Sequence, residues 1–220
     1  MKRLYATLTL AGVVALLALI IAPFMVVTAQ QAPIVSSSPV FSFADGSEVA
    51  DGWSTVTRSE NGVAMTLHTT DLVPNDTYTI WWVIFNAPEN CSDGVCNEDD
   101  IFYVDENGLA LDENGGRQLN FDAVEAAQVS VQHATGGYFG DAVNGHFSAS
   151  LGLGDVPGIV FGPGLLDAQG AEVHLVVRTH GPKIDDLFDA QISTFGGACD
   201  PLNEAPCVDV QFSMHQPPAA

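Results

Sequence analysis

The sequence predicts an all-β domain, either an antiparallel β-sandwich or a jelly-roll-like barrel of about eight to nine strands. The clearest sign is the segment YTIWWVIFN, residues 78–86, which is apolar on both faces and bounded by turn residues. That pattern is typical of a short strand buried on both sides. Short alternating segments separated by Gly, Pro, Asn and Asp recur along the chain, and no long segment has a helical period.

The order of the elements follows from the apolar segments and the turn residues between them. Residues 53–57 and 63–69 predict a hairpin, because Asn61-Gly62 is a turn signal and the second arm alternates apolar with polar residues. Residues 155–170 predict a loop, while residues 121–128 and 184–192 are weakly helical in composition. The predicted strands lie near residues 40–43, 53–57, 63–69, 78–86, 109–111, 129–133, 146–153, 172–179 and 208–214.

Length and charge limit the domain organisation and the partners. The 220 residues suit a targeting segment and one domain. The predicted divisions are a signal or anchor at 1–29, an exposed lead-in at 30–39, a single β-domain at 40–215 and a tail at 216–220. Six Lys and Arg stand against 27 Asp and Glu, a formal charge of −21. Such a surface repels nucleic acid and anionic lipid, so no nucleic-acid partner is expected.

The N-terminus predicts export from the cytoplasm. Lys2 and Arg3 precede an apolar run at residues 8–27, and the small residues that end at Ala29 suit cleavage by a signal peptidase. The run is close to the ~20 residues that cross a bilayer, so an uncleaved membrane anchor is the alternative. In both cases we expect a secreted, cell-surface or periplasmic protein that touches the membrane only through this segment.

The four cysteines agree with an oxidising compartment, because they form two local pairs, Cys91 with Cys96 and Cys199 with Cys207. Four cysteines allow three connectivities, and the local pairing is favoured because each pair brackets a loop rich in Asp, Asn, Pro or Gly. A four-cysteine zinc site is the alternative, but the spacing of the second pair exceeds the about two to four residues usual in such sites.

One face of the predicted strand at residues 172–179 carries candidate metal ligands. Side chains two apart share a face, so Glu172, His174 and, just past the strand, His180 lie opposite a core face of Val and Leu. An acid and imidazoles on a rigid strand can bind a divalent metal or perform acid–base chemistry. His174 and His180 are about 20 Å apart along an extended strand, so a metal would require a ligand from another strand, such as His133, His146 or His68. The alternative is the polar face of a half-buried strand.

Acidic turns suggest calcium as a second cofactor. The sequence Asp-Glu-Asn-Gly occurs twice, and Asp105, Asn107, Asp112 and Asn114 supply the hard oxygen ligands that calcium prefers. The offsets do not fit the twelve-residue calcium loop. The alternative is a pair of solvated turns in an acidic protein.

The tryptophans suggest a glycan-binding surface. Trp81 and Trp82 are adjacent in a predicted strand and point to opposite faces, so one of them could form a stacking platform for a sugar ring together with Trp53. The alternative is that both Trp81 and Trp82 lie in the core.

Two sequence blocks resemble secreted bacterial β-domain proteins that have no assigned activity: YTIWWVIFNAPENC at residues 78–91 and AEVHLVVRTHGP at 171–182. The second block also resembles a late strand of the CHRD domain, an extracellular β-domain, in which a His precedes a Gly-containing turn. The resemblance implies a secreted all-β protein and assigns no functional residue. The nucleophile elbow, the His-Glu-x-x-His motif and the glycine-rich nucleotide loops are all absent from the sequence.

The sequence therefore favours an exported, non-enzymatic extracellular β-domain that binds a ligand or a protein partner at the cell surface. The first alternative is a metal-dependent protein or enzyme that uses the His and Glu residues of strand 172–180. The second is a glycan-binding module. The positions of the histidines and tryptophans in the fold distinguish these three hypotheses.

Overall fold

Short strands joined by tight turns make up most of the secondary structure. The computed structural model describes residues 32–105, 108–110, 117–199 and 207–219, so the predicted signal or anchor at residues 1–29 lies outside the described residues. The strands are β1 (Ile34–Ser42), β2 (Glu48–Ser59), β3 (Gly62–Thr69), β4 (Asp76–Phe85), β5 (Val104–Asp105), β6 (Gly108–Leu109), β7 (Val129–Tyr138), β8 (Gly145–Gly152), β9 (Ile159–Phe161), β10 (Glu172–Pro182) and β11 (Val208–His215). Helices span Phe121–Ala126 and Phe188–Ser193, and 3₁₀ turns lie at Pro88–Asn90, Glu98–Asp100 and Asp185–Leu187. No helix among these residues is both long and apolar enough to cross a bilayer.

Nine of the described strands form one antiparallel sheet, in the order β8-β3-β2-β1-β11-β10-β4-β7-β9. The other two, β5 and β6, pair only with each other. Strands β7 and β8 lie near opposite ends of this order and still contact each other, so the sheet curls into a half-barrel. The predicted all-β class and the predicted number of about eight to nine strands are confirmed, and the nine strands belong to a single curled sheet.

The first strand begins earlier than the sequence suggests. Residues 30–39 were expected to be an exposed lead-in, but β1 starts at Ile34 and pairs with β2 from Ile34 to Phe41. Ser36, Ser37 and Ser38 lie within this strand. The hydroxyl of Ser36 forms a hydrogen bond with Nδ1 of His215 at 2.9 Å, which holds β1 to β11. Pro39 lies next to a shift in register, where the missing backbone N–H is tolerated.

A second difference is a short strand inside the Gly/Pro-rich segment predicted as a loop. Strand β9 extends the edge of the sheet by pairing with β7, and the register shifts between its only two paired positions. Three residues are too few to show a period in the sequence, so only the contact with β7 reveals this strand.

Strand β4 is buried along almost its whole length, as the apolar run at residues 78–86 predicts. Its side chains alternate between the concave interior of the curled sheet and the outer, convex face. The inward set is Ile80, Trp82 and Ile84, and the outward set is Trp81, Val83 and Phe85. Two hydrophobic clusters therefore lie on opposite sides of the same strand. Full burial of each large apolar side chain contributes roughly 1.5–3 kcal/mol.

A buried arginine closes one end of the interior. The guanidinium of Arg58, on β2, donates through Nη1 to the backbone oxygens of Ala168 and Ala171 and through Nη2 to that of His215, at 2.7–2.9 Å. Leu165, Ala168 and Ala171 belong to the inner hydrophobic cluster. Arg58 thus fixes the segment at residues 165–171 as a plug against the end of β11.

The interior near this plug also contains a polar cluster around His215. Its Nε2 lies 2.8 Å from the hydroxyl of Ser54, which donates to the hydroxyl of Ser213 at 2.8 Å. All three side chains are buried, and none of them lines the two cavities described below. This contact between serine and histidine therefore serves packing, because a substrate has no access to it.

We expect the stability of the fold to fall in acid through His215. Burial, with the nearby charge of Arg58, lowers the pKa of this imidazole to about 4. The unfolded chain takes up the proton near pH ~6.5. The unfolded state therefore binds more protons between these two values, and the free energy of unfolding should decrease by up to about 3 kcal/mol as the pH falls through this window.

Urea unfolding at pH 7 and pH 4.5 measures this effect. The variant His215→Asn should lose most of the decrease that the unmodified protein shows, although it should be less stable at pH 7. His146→Asn is the matched control, because His146 is exposed on the outer face. Equal pH dependence in the His215→Asn variant and the unmodified protein would contradict the assignment.

Candidate functional site

The outer face of the central strands is unusually apolar, and the strand register shows why. Outward side chains of β11, β10, β4, β7 and β9 stand side by side in two rows across the sheet. The first row contains Phe212, Val176, Trp81 and His133, and the second contains Met214, His174, Val83, Val131 and Phe161. The two polar side chains among these nine residues are His133 and His174, and of these two His174 lines the cavity described below. This surface forms the floor of the candidate site.

One wall of the site is the long connection after β4. The Cys91–Cys96 disulfide is present as predicted and packs with Phe85 and Ile101 in the outer cluster. Asp100 fixes the same loop, since its carboxylate accepts from the backbone N–H groups of Ser92 and Asn97 at 2.8 and 3.0 Å. This cross-linked loop brings Ile101 over the sheet, with Phe102 and Leu119 beside it.

The opposite wall is Phe195, which Arg178 holds in place. Arg178 donates through Nε to the backbone oxygen of Phe195 at 3.2 Å, and its guanidinium lies 4.1 Å from the centre of the Phe195 ring. Its Nη1 pairs with Asp209 at 2.6 Å. Arg178 lies on β10, and its role is to position the wall.

Between the two walls lies a cavity of about 580 Å³ over the apolar floor. Volumes of roughly 300–1,000 Å³ with mostly apolar walls are typical of small-molecule sites. The charged groups, Glu98, Arg117 and Asp209, also line a neighbouring and more polar cavity of about 630 Å³, which places them on the side where the two cavities adjoin. That second cavity adds the carboxylates of Asp45, Glu48 and Asp71.

The polar side chain of the floor that lines the cavity is oriented by a carboxylate. The Nε2 of His174 lies 2.7 Å from Oε1 of Glu172, and Glu172 is only 2% exposed. The other carboxylate oxygen accepts from the backbone N–H of Cys96 at 3.4 Å. Glu172 thus connects the floor to the disulfide-bonded wall. Since Glu172 occupies Nε2, Nδ1 is the ring nitrogen through which His174 could bind a hydroxyl group of a ligand.

His180 has a structural role at the other end of β10. Its Nδ1 donates to the backbone oxygen of Gly197 at 2.9 Å, and Thr79 donates to its Nε2 at 2.8 Å. The hydroxyl of Thr79 in turn accepts from Nε1 of Trp81 at 2.7 Å. Burial lowers the pKa of His180 and keeps the ring neutral. This chain of hydrogen bonds ties Gly197 to the buried end of β10.

The structure does not bring the five predicted metal ligands together. His133 donates through Nε2 to the backbone oxygen of Ile192 at 3.0 Å, and His146 lies on β8 beside His68. Among the four predicted histidines, only His174 has a hydrogen bond to Glu172. Among the described residues, no group of three potential ligands that includes Glu172 has its donor atoms within 4.8 Å of one another. Two residues on one strand show that their side chains share a face, but they cannot show which loops cover that strand.

The two ligand groups that do converge contain the disulfides. They are His180 with Cys199 and Cys207, and Asp100 with Cys91 and Cys96. The Cys199–Cys207 disulfide is present as predicted, so all four sulfur atoms are bonded to each other in pairs. Disulfide sulfurs are not thiolates, and these groups therefore lack the ligands that a zinc site requires.

The remaining sequence predictions have different outcomes. Asn107, Asp112 and Asn114 of the predicted calcium set lie outside the described residues, as does the side chain of Asp105. Trp81 and Trp82 are 1% and 0% exposed, so neither offers a ring to a sugar. Trp53 is 43% exposed on the outer face, and the predicted glycan platform is therefore confined to this residue.

Sequence reasoning missed the apolar floor on β11. In the segment VDVQFSMH, Phe212 and Met214 face outward, while Gln211, Ser213 and His215 are buried inside. Alternation showed that the two sets lie on opposite faces, and it could not show which face is inside.

No family model and no curated protein matches this chain, so similarity to known proteins assigns no function to the site.

Removal of the hydroxyl of Thr79 tests the network that supports this site. In Thr79→Val, the buried Nε1 of Trp81 and Nε2 of His180 both lose a partner, so we expect the free energy of unfolding to fall by about 2–4 kcal/mol. Thr66→Val, on the outer face of β3, is the matched control and should change it by less than about 0.5 kcal/mol. Denaturant titration measures the free energy of unfolding of both variants. Equal stability of the two variants would refute the network.

Proposed function

We propose that this chain is an exported, non-enzymatic extracellular β-domain that binds a small, largely apolar molecule in the outer-face cavity. The observation that carries the proposal is the apolar floor between two cross-linked walls, which encloses about 580 Å³. The two disulfides support an oxidising compartment. The basic and apolar N-terminal segment supports export through a secretory signal, with a membrane anchor as the alternative.

Charge restricts the chemistry of the ligand. The chain has a formal charge of −21, and the acidic second cavity that adjoins the site contains the carboxylates of Asp45, Glu48 and Asp71. A negative field at the approach disfavours anions and favours neutral or cationic molecules. Glu98 and Asp209 add little to this field, because they form ion pairs with Arg117 and Arg178. We therefore infer a neutral or cationic ligand, and an anionic fatty acid is disfavoured.

His174 gives the ligand an orientation. A buried polar group in an apolar cavity provides specificity when a ligand group reaches it, and it costs free energy when it is left unpaired. The carboxylate of Glu172 fixes the ring, so a hydroxyl of the ligand can donate to Nδ1. The best fit is an apolar molecule with one hydroxyl group, for example a long-chain or aromatic alcohol.

Dye binding with a filled cavity tests this function. The neutral dye Nile red should bind the unmodified protein more tightly than the anionic dye anilinonaphthalene sulfonate. Val176→Trp places an indole in the middle of the floor and should raise the Kd of Nile red at least tenfold. Val35→Trp is the matched control, because Val35 is 61% exposed and does not line the cavity.

Fluorescence titration and circular dichroism give the two readouts. The proposal requires a wild-type Kd in the Val35→Trp variant and a native spectrum in both variants. If Val176→Trp binds Nile red as tightly as the unmodified protein, the dye lies elsewhere and the cavity is not a binding site. Tighter binding of the anionic dye would contradict the ligand class.

The contact between His174 and Glu172 favours one second candidate, an enzyme that transfers a proton within the cavity. A carboxylate that orients an imidazole is the arrangement of a general base and its positioning group. The variant His174→Leu separates the two functions. A binding domain keeps its affinity for Nile red, which has no hydroxyl group, whereas an enzyme loses its turnover of the natural substrate.

A further inference from the structure

Three aromatic rings stand side by side on the outer face of β2, β3 and β8, away from the cavity. Trp53 is the register partner of His68, and His68 is the register partner of His146. The ring centres of His68 and His146 are 6.1 Å apart, and the indole of Trp53 lies 6.0 and 6.1 Å from them. The alternation of the strands places these rings outside, because the adjacent Ser54, Leu67 and Phe147 are buried.

This pair differs from the other four of the six histidines. His133, His174, His180 and His215 each have a hydrogen bond that uses a ring nitrogen. The imidazole rings of His68 and His146 make no hydrogen bond to a residue within the described part of the chain. Their ring contacts are to each other and to Trp53. His146 is exposed and His68 is half-buried, so water and ions reach the pair.

We propose that His68 and His146 together bind one divalent transition-metal ion, with water completing the coordination. A metal ion about 2.0–2.1 Å from a ring nitrogen lies roughly 3.2 Å from the ring centre, so two imidazoles that share an ion can be up to about 6.4 Å apart. The observed 6.1 Å is within this limit. His68 and His146 are directly opposed on antiparallel strands, where Cβ atoms are typically about 4.5–5.5 Å apart, so both imidazoles can turn toward one ion without a shift of the sheet backbone.

The metal is Cu²⁺ in preference to Ni²⁺ or Zn²⁺. Imidazole suits all three ions, and the affinity of a given nitrogen site is highest for Cu²⁺ in this series. The hydroxyl groups of Thr66 and Ser148, on the next outward positions of the same two strands, add no strong ligand. The formal charge of −21 concentrates cations near the surface. Because two strands hold the rings together, the second bond forms at a high effective concentration, and the pair binds more tightly than one histidine.

Trp53 makes the site directly measurable. Cu²⁺ quenches indole fluorescence at short range, and Trp53 is the tryptophan that neighbours both imidazoles. Trp81 and Trp82 are buried among other side chains and should keep their emission. A bound ion also occupies the surface on which a sugar ring would stack, so metal binding and glycan stacking at Trp53 exclude each other.

Copper titration of the full chain, produced without a polyhistidine tag, tests the proposal. Quenching of tryptophan fluorescence and calorimetry should report one ion for each chain. The variants His68→Asn and His146→Asn should each raise the Kd at least tenfold, and the loss of binding free energy in the double variant should be smaller than the sum of the two single losses. Such non-additive loss is the signature of two ligands to one ion. Thr66→Asn is the control on the same face and should keep the Kd.

Two outcomes would overturn the proposal. If each single variant keeps the original Kd and loses only part of the stoichiometry, the histidines bind separate ions. If both histidine variants and the unmodified protein give the same copper titration curve, the copper is bound by carboxylates elsewhere. Trp53→Phe completes the set, because it should abolish most of the quenching while calorimetry still shows the ion bound. None of these results depends on the outer-face cavity, so the test is independent of the proposed function.

Discussion

The double burial of β4 is the constraint on which the rest of the structure depends. A strand with bulky apolar side chains on both faces cannot leave either face in water without losing several kcal/mol of hydrophobic stabilisation. The curl of the sheet covers the inner face, where Trp82 lies. The outer face, where Trp81 lies, must be covered by something else. In this chain the cover consists of the loop after β4 and the segment after the helix Phe188–Ser193.

The cover is incomplete, and its gap is the cavity. The helix Phe188–Ser193 approaches β7 closely because Gly136 has no side chain at the point of contact with Ile192. The loop with Cys91 and Cys96 covers the opposite end, near Phe85. Between the two segments Val83 is 8% exposed and Val176 is half-buried, and both line the cavity. An apolar surface that folding leaves uncovered in this way is typical of a binding site.

The sequence predicted those features that depend on local patterns. The buried strand at residues 78–86, the hairpin with the Asn-Gly turn and the two local disulfides all follow from residues close together in the chain. The cavity could not be predicted, because its floor combines five strands and depends on which face of β11 is inside. Ser213 and His215 are buried because Ser54 and Arg58, far away in sequence, provide their partners. The loops that cover the strand at residues 172–180 could not be predicted for the same reason.

The positions of the disulfides show that they stabilise the walls of the cavity rather than the sheet. Both disulfides lie in the covering segments, and neither joins two strands within the sheet. Cys91–Cys96 holds the wall that carries Ile101, and Cys199–Cys207 joins the segment behind Phe195 to the start of β11. Each closes a short loop, so each restricts its own segment far more than it restricts the whole chain. The strand ladders and the inner core stabilise the sheet, while each disulfide fixes the conformation of one wall of the cavity. The cavity is therefore the part of this protein whose shape depends most on an oxidising environment.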